Sequence, residues 1–551
     1  MTNEDTGGDA GTDHVDVVVV GAGFAGMYAL HRLRGLGLST RVFEAASGVG
    51  GTWWWNRYPG ARCDILSQDY SYSFDPDLDQ EWTWSERYAA QPEILAYAEH
   101  VAERHDLRRD ITFDTRVTRA VWHDEESRWW VDTDTGEHVA ARWMVMAVGC
   151  LSAAKRPEIE GVDSFAGVAV HTGQWPHEGV DLVGKRVGVI GTGSSGIQSI
   201  PIIAEHAAHT TVFQRTPGYA QPAQNREIPE EEWADLKARY PAHRQHLRTS
   251  SGGTDSPAPT EMALATDPAA REARYREGWE QGTLFSLLGA YLDLLVDRDA
   301  NETVSEFVRD RIRETVDDPE VAEALCPHES PFGTKRVCLD SGYYATYNRP
   351  DVTLVDLRRT PIEEIVPEGV RTSDGLYELD VLVFATGFDA MTGPLLGPEI
   401  VGRGGRTLRQ AWAEGPRSYL GLCVAGFPDL FTVTGPGSPS VLTNMLVSIE
   451  QHVEWITDAI AAMEADGTTL EADVDAQDEW VAHVNELAEI TLFPQGNSWY
   501  LGANVPGKPR VFMPYLGGVA HYRSVCDEVA AAGYRGFTRQ PVDDGSAQRV
   551  P

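Results

Sequence analysis

Val15-Asp16-Val17-Val18-Val19-Val20 runs straight into Gly21-Ala22-Gly23-Phe24-Ala25-Gly26 and on into Met27-Tyr28-Ala29-Leu30-His31-Arg32-Leu33. The β-branched run predicts a strand buried on both faces, as in a parallel sheet. The segment after the glycines reads as a helix. Between them the glycines stand at G-x-G-x-x-G spacing: the first makes the tight turn, the second admits a pyrophosphate to the backbone, and the third lets helix and strand pack closely. The helix N-terminus then faces the pyrophosphate. A second strand, Thr40-Arg41-Val42-Phe43, ends at Glu44, 23 residues after Gly21. A carboxylate is needed there to bind a ribose hydroxyl.

The same unit recurs at Lys185-Arg186-Val187-Gly188-Val189-Ile190, followed by Gly191-Thr192-Gly193-Ser194-Ser195-Gly196 and a helix-like Ile197-Gln198-Ser199-Ile200. The first unit's offset, applied to Gly191, lands on Gln214 with Arg215 next. No acid stands there, and a guanidinium accommodates a 2′-phosphate that a carboxylate would repel. The first unit is therefore expected to take FAD and the second NADPH in preference to NADH. The fold class expected is α/β, with two doubly wound Rossmann-like domains. Electrons would pass from nicotinamide to flavin and then to an acceptor, of which molecular oxygen is the leading candidate.

Composition narrows the partners. Of 551 residues, 83 are acidic and 46 are Lys or Arg, a net charge of −37. Such a field argues against nucleic acid or an anionic membrane as partner. Any phosphate must be held in a locally positive pocket, and only five lysines exist: Lys155, Lys185, Lys237, Lys335 and Lys508. The six cysteines are scattered, with no C-x-x-C pair. A disulfide-reductase mechanism and a zinc site are both excluded on that ground. The polar, acidic first residues are unlike a targeting peptide, and no apolar run has the ~18 residues a spanning helix needs. A cytoplasmic protein is expected.

Phe165-Ala166-Gly167-Val168-Ala169-Val170-His171-Thr172-Gly173-Gln174-Trp175-Pro176 lies between the two fingerprints. It matches, position for position, the F-x-G-x-x-x-H-T-x-x-W-P signature of type I Baeyer–Villiger monooxygenases. The resemblance extends over nearly the whole chain: Gly50 to Asp64 is similar to the family's flavin-side loop, Ala385-Thr386-Gly387-Phe388-Asp389 to its return crossing between domains, and Asn497 to Gly502 to its mobile loop over NADP. Within the family the chain resembles the phenylacetone and steroid monooxygenase branch.

That resemblance implies a set of site residues. The catalytic ones are Arg336 in Pro331-Phe332-Gly333-Thr334-Lys335-Arg336, Asp64 as its partner, and His171 of the linking motif. Arginine stays protonated at any working pH, and the reaction needs fixed positive charge beside a C4a-peroxyflavin and an oxyanion. The implied FAD contacts are Gly21, Gly23, Phe24, Ala25, Gly26, Glu44, Gly51, Thr52, Trp53, Asp64, Tyr70, Val117 and Met445. Those to NADP are Arg62, Thr192, Gly193, Ser194, Ser195, Gln198, Arg215, Thr216, Lys335, Arg336 and Trp499. The substrate pocket implied is lined by Ile65, Leu151, Ser440, Val441 and Leu442.

The organisation expected is an FAD domain of residues 14–153 and 388–551, an NADP domain of 154–218 and 334–387, and a helical subdomain of 219–333. The ends, 1–13 and about 540–551, are expected to be disordered. The function implied is insertion of one oxygen atom of O2 beside a ketone carbonyl to give an ester or lactone. The alternative is oxidation of nitrogen or sulfur by a flavin-containing monooxygenase. Partners are a small ketone and O2, with no metal, and the chain is expected to be a monomer or weak homodimer.

Overall fold

The computed structural model describes residues 13–542. Two parallel sheets carry the two fingerprints. In the first, Asp13–Val20 lies between Thr40–Phe43 and His138–Met146, and the sheet continues to Ile111–Thr112 on one side and Leu430–Thr432 on the other. Val17, Val18 and Val19 are fully buried, as a strand covered on both faces requires. An antiparallel ribbon, Val117–His123 with Arg128–Thr133, joins the same sheet through the first half of His138–Met146.

The second sheet has the order Val352–Asp356, His209–Gln214, Arg186–Ile190, Val381–Phe384, Val168–His171, all parallel. The linking motif thus supplies an edge strand of the second sheet. Each fingerprint strand is followed by its helix, Phe24–Gly35 or Ser194–His206, and the first of these packs on the long helix Met445–Asp466.

The chain passes between the sheets twice, and the passages lie side by side. Ala154 and Phe388 form an antiparallel bridge. The Lys155 amide donates to the Gly387 carbonyl at 3.0 Å and the Asp389 amide to the Ala153 carbonyl at 2.9 Å. Four helices fill the insertion: Glu230–Thr249, Pro268–Gln281, Arg298–Thr315 and Pro319–Leu325. It also contains a strand, Ala220–Pro222, which pairs with Cys338–Asp340 just after Arg336. The insertion is thereby fastened to the segment that carries the arginine.

Two sequence expectations need correction. Asp13 is not part of a tail, because it pairs with Val139 at the start of the first strand. Phe537–Pro541 is likewise ordered, antiparallel to Thr468–Ala472; Phe-Thr-Arg-Gln-Pro has little apolar pattern, but ladder bonds do not depend on side chains. The remaining terminal residues lie outside the described ones. Within the flavin-side loop Thr52–Trp55 forms one short helix, and of its three tryptophans only Trp53 is buried. No helix among the described residues is long and apolar enough to cross a membrane.

Candidate active site

Both fingerprints close as tight turns that only glycine permits. Gly21 has φ +100°, and a Cβ there would stand 2.6 Å from the Ala147 carbonyl oxygen. Gly26 is needed for a different reason, since its Cβ would fall 1.8 Å from the Gly21 oxygen. The third glycine is dictated by the turn itself as much as by helix–strand packing. The second fingerprint repeats both contacts at Gly191 and Gly196.

The helices that follow begin at Gly23 and Gly193 with no capping side chain and no acid in the first turn. By contrast the insertion helices starting after Asp267, Asp297 and Asp318 are each capped by that aspartate. Uncapped amides at a helix start need an acceptor, and a pyrophosphate is the acceptor such a terminus fits. Glu44, at the end of its strand, is buried and accepts from the Ala22 amide at 2.6 Å and the Ala46 amide at 2.8 Å. Burial raises its pKa, and the amides pull the other way.

A cavity of about 610 Å³ opens from this turn, within the range of small-molecule and cofactor sites. Its wall includes Gly21, Gly23, Phe24, Ala25, Glu44, Gly51, Thr52, Trp53, Tyr70, Val117 and Met445, so twelve of the thirteen expected FAD positions, Asp64 included, share one space. Gly26 is the exception, lying inside the turn. An elongated dinucleotide lying on an uncapped helix start is consistent with this shape.

Arg336 and Asp64 face each other at the inner end. Arg336 Nε donates to Asp64 Oδ2 at 2.9 Å, Nη2 to Oδ1 at 2.8 Å, and Nη1 to the Val441 carbonyl at 2.8 Å. Burial opposes the charge, but Asp64, aided by Tyr500, outweighs it and holds the guanidinium above the ordinary arginine range. These three bonds leave the rest of its N–H groups to Tyr500 and the cavity. Tyr500 is a residue that sequence reasoning missed: it is buried against Arg336, and burial pushes its phenol up to about 12. Only its place beside Trp499 hinted at it. Cys150 also lines the cavity, its thiol raised by burial to about 12 and therefore unreactive.

Arg62 of the first unit, Ser194 and Gln198 of the second and Trp499 of the C-terminal loop reach the same cavity. Gln198 ties the two units together. Its Nε2 donates to the Arg62 carbonyl at 2.9 Å, and its Oε1 accepts from the hydroxyl of Tyr58 at 2.8 Å, another residue that sequence reasoning passed over. Thr216 and Lys335 sit apart, on a second, small cavity. Arg215 is exposed and close enough to depress the Lys335 pKa, although burial contributes more and Glu329 opposes both. Gln214 cannot serve a ribose, being fully buried with its amide given to the Ala324 carbonyl.

Not every expected residue reaches the cavity. Ser440 is fully buried and turns its hydroxyl to the Met391 sulfur at 3.7 Å, while Leu442 packs in the apolar cluster around Trp499; Ile65, Leu151 and Val441 do line the space. Thr192 and Ser195 are structural in this state. Thr192 Oγ1 donates to the Thr216 carbonyl at 3.2 Å, and Ser195 Oγ accepts from Thr172 Oγ1 at 3.1 Å. Gly193 stands at the helix start with open space at its Cβ position.

His171 does not line the cavity and does not stand with the Arg336–Asp64 pair, contrary to its expected grouping. It sits on the edge strand against Phe388 of the return crossing, ring centroids 5.9 Å apart. Its Nδ1 accepts from the Gly173 amide at 2.9 Å, and burial lowers its pKa, which keeps the ring neutral. Nε2 is buried without a partner among the described residues.

Comparison with known proteins bears directly on this arrangement. A profile of the pyridine nucleotide-disulphide oxidoreductase family matches residues 15–239. A Baeyer–Villiger monooxygenase from Pseudooceanicola batsensis is 43% identical over 539 residues, covering 97% of both chains. The chain belongs to the Baeyer–Villiger monooxygenase family. Among proteins of solved structure, an oxidized steroid monooxygenase bound to NADP is 54% identical, with a TM-score of 0.92 over 96% of this chain and 100% of that one. A phenazine N-monooxygenase of Lysobacter antibioticus is 44% identical over 528 residues, 95% of this chain and 97% of that protein. Membership in the Baeyer–Villiger monooxygenase family agrees with the reading of the linking motif and with the double Rossmann architecture.

Proposed function

We propose that the chain is an FAD- and NADPH-dependent Baeyer–Villiger monooxygenase that inserts one oxygen atom of O2 next to a ketone carbonyl, giving an ester or lactone. The observation that carries this reading is the Arg336–Asp64 pair at the inner end of the cavity that begins at the first fingerprint. When bound, the two cofactors supply hydride transfer and activation of O2.

This chain's residues supply the setting. Gly21, Gly23 and the amides of the first helix turn hold the FAD pyrophosphate, Glu44 the ribose, and Thr52, Trp53, Tyr70 and Met445 surround the remainder. Arg215, Thr216 and Lys335 hold the 2′-phosphate of NADPH, with Arg62, Ser194, Gln198 and Trp499 along its body. Arg336 keeps a fixed positive charge where negative charge develops on the ketone oxygen, and an N–H group not taken by Asp64, Val441 or Tyr500 is a donor for that oxygen. Preorganised donors at such a position contribute on the order of 3–4 kcal/mol to lowering a barrier. Asp64 fixes the guanidinium plane. Ile65, Leu151 and Val441 present apolar surface, which together with the steroid monooxygenase likeness supports a roomy pocket for aryl, alicyclic or steroid-like ketones.

The experiment is incubation of the purified yellow protein with ketones of graded size, NADPH and 18O2. One labelled oxygen in an ester or lactone supports the reading, and NADPH consumption with no ester from any ketone opposes it. A second reading, oxidation at nitrogen, is favoured by the phenazine N-monooxygenase relative. Heteroaromatic N-oxide formation in the same assay distinguishes it. Six free cysteines, all buried, support a cytoplasmic location, and a monomer or weak homodimer remains the expected state.

A further inference from the structure

A third cation stands at the strand ends that carry Arg215. Strand Val352–Asp356 runs parallel to His209–Gln214 with Asp356 opposite Gln214, and the Leu357 amide donates to the Gln214 carbonyl at 2.8 Å. Arg358 therefore leaves its strand alongside Arg215. Asp356, only 12% exposed, grips one edge of it: Nε donates to Oδ1 and Nη2 to Oδ2, both at 2.9 Å. This bidentate hold fixes the guanidinium plane and leaves Nη1 free.

That free edge faces an acid. Arg358 Nη1 is 3.9 Å from Glu329 Oε1, and Glu329 lines the small cavity with Thr216, His328 and Lys335. Within the cavity wall His328 is already engaged, its Nε2 lying 2.7 Å from Glu323 Oε1. Lys335, mostly buried, feels Glu329 as a favourable charge and Arg215 as an unfavourable one. Lys335 thus shares the small cavity with the half-exposed Glu329, Arg358 approaches that carboxylate from the neighbouring strand end, and Arg215 lies near enough to act on Lys335, in a chain of net charge −37.

We propose that Arg358 is a third residue of the 2′-phosphate site, oriented by Asp356, and that Glu329 is a built-in anion which the 2′-phosphate of NADPH displaces. This rests on the reading of Arg215 and Lys335 as phosphate contacts. Removing Glu329's charge then strengthens phosphate binding, because the phosphate no longer competes with it. Removing Arg358's charge weakens it.

The test uses the FAD-loaded full-length protein and calorimetric titration with two probes, adenosine 2′,5′-bisphosphate and adenosine 5′-monophosphate. Arg358→Gln is expected to weaken the bisphosphate about three- to tenfold and Glu329→Gln to tighten it by a similar factor, magnitudes in keeping with partly exposed charge pairs. Neither variant should change binding of the monophosphate. Either variant behaving as wild type toward the bisphosphate, or shifting both probes alike, overturns the proposal. Lys335→Ala separates the two levels. If it weakens the bisphosphate selectively while Arg358→Gln and Glu329→Gln do nothing, this inference alone fails; if it has no selective effect, the pocket is not a 2′-phosphate site and both readings fall.

Discussion

Arg336 meets Asp64 edge to edge, Nε to Oδ2 at 2.9 Å and Nη2 to Oδ1 at 2.8 Å, while its Nη1 is held by the Val441 carbonyl. Three bonds to two separate segments leave the guanidinium little freedom to rotate. Fixed geometry is what makes a donor effective at a developing charge, since nothing reorganises during the reaction.

Asp64 should therefore matter through Arg336. Asp64→Ala is expected to lower the rate of ester formation about 10- to 100-fold, with a smaller effect on flavin reduction by NADPH. Stopped-flow reduction and product formation, measured on the same preparation, check this. Equal losses in both steps would assign Asp64 to binding of the flavin instead.

Tyr500 is buried beside the same guanidinium, and its ring packs on Trp499 at 4.3 Å between centroids. Tyr500→Phe keeps the packing and removes the hydroxyl. We expect ester formation to fall about three- to tenfold, the cost of a single hydrogen-bonding group, with KM for NADPH unchanged. A raised KM for NADPH at unchanged kcat would place the hydroxyl's role on the nucleotide.

Arg215 is exposed beyond a strand whose last residue, Gln214, is turned inward. In Arg215→Ala the ratio of kcat/KM for NADPH over NADH is expected to drop at least about tenfold, as loss of a charged hydrogen bond of ~1.5–3 kcal/mol implies. An unchanged ratio rejects its phosphate role.

Asp429 gives a prediction about stability. It is buried in a left-handed backbone conformation, φ 55°, and accepts from the Leu470 amide at 2.8 Å. Burial raises its carboxyl to about 8, against the pull of that amide. An acid with a folded-state pKa above its unfolded value takes up a proton on folding, so its contribution is complete below about pH 4 and is lost as pH rises toward 8. Asparagine tolerates this conformation and does not titrate. Asp429→Asn should thus gain Tm relative to wild type between pH 5 and pH 8, whereas a constant difference across that range would show that Asp429 is ionised throughout.

Local chemistry made the two fingerprints readable in the sequence: strand, turn, helix and Glu44 are contiguous, and each is forced by short-range sterics or by a cofactor's needs. The Arg336–Asp64 pair spans 272 positions, and no local rule joins residues so far apart; it was legible only through likeness to a family. Ser440 failed for the opposite reason. Family likeness implied a place on the pocket wall, but Ser440 is buried at φ 47° with its hydroxyl on the Met391 sulfur. Tyr500 went unremarked because an aromatic next to Trp499 looks like packing, and its polar role depends on where Arg336 arrives. The edge strand Phe537–Pro541 was hidden because backbone pairing, not apolar patterning, forms it.

The central claim is that Arg336 serves oxygen insertion and not flavin reduction. The direct test is Arg336→Ala, followed in one experiment by the rate of flavin bleaching with NADPH and by ester yield from a ketone the wild type converts. Bleaching is expected to persist while ester formation is abolished and NADPH is diverted to hydrogen peroxide. Ester formation at the wild-type rate in that variant would contradict the claim.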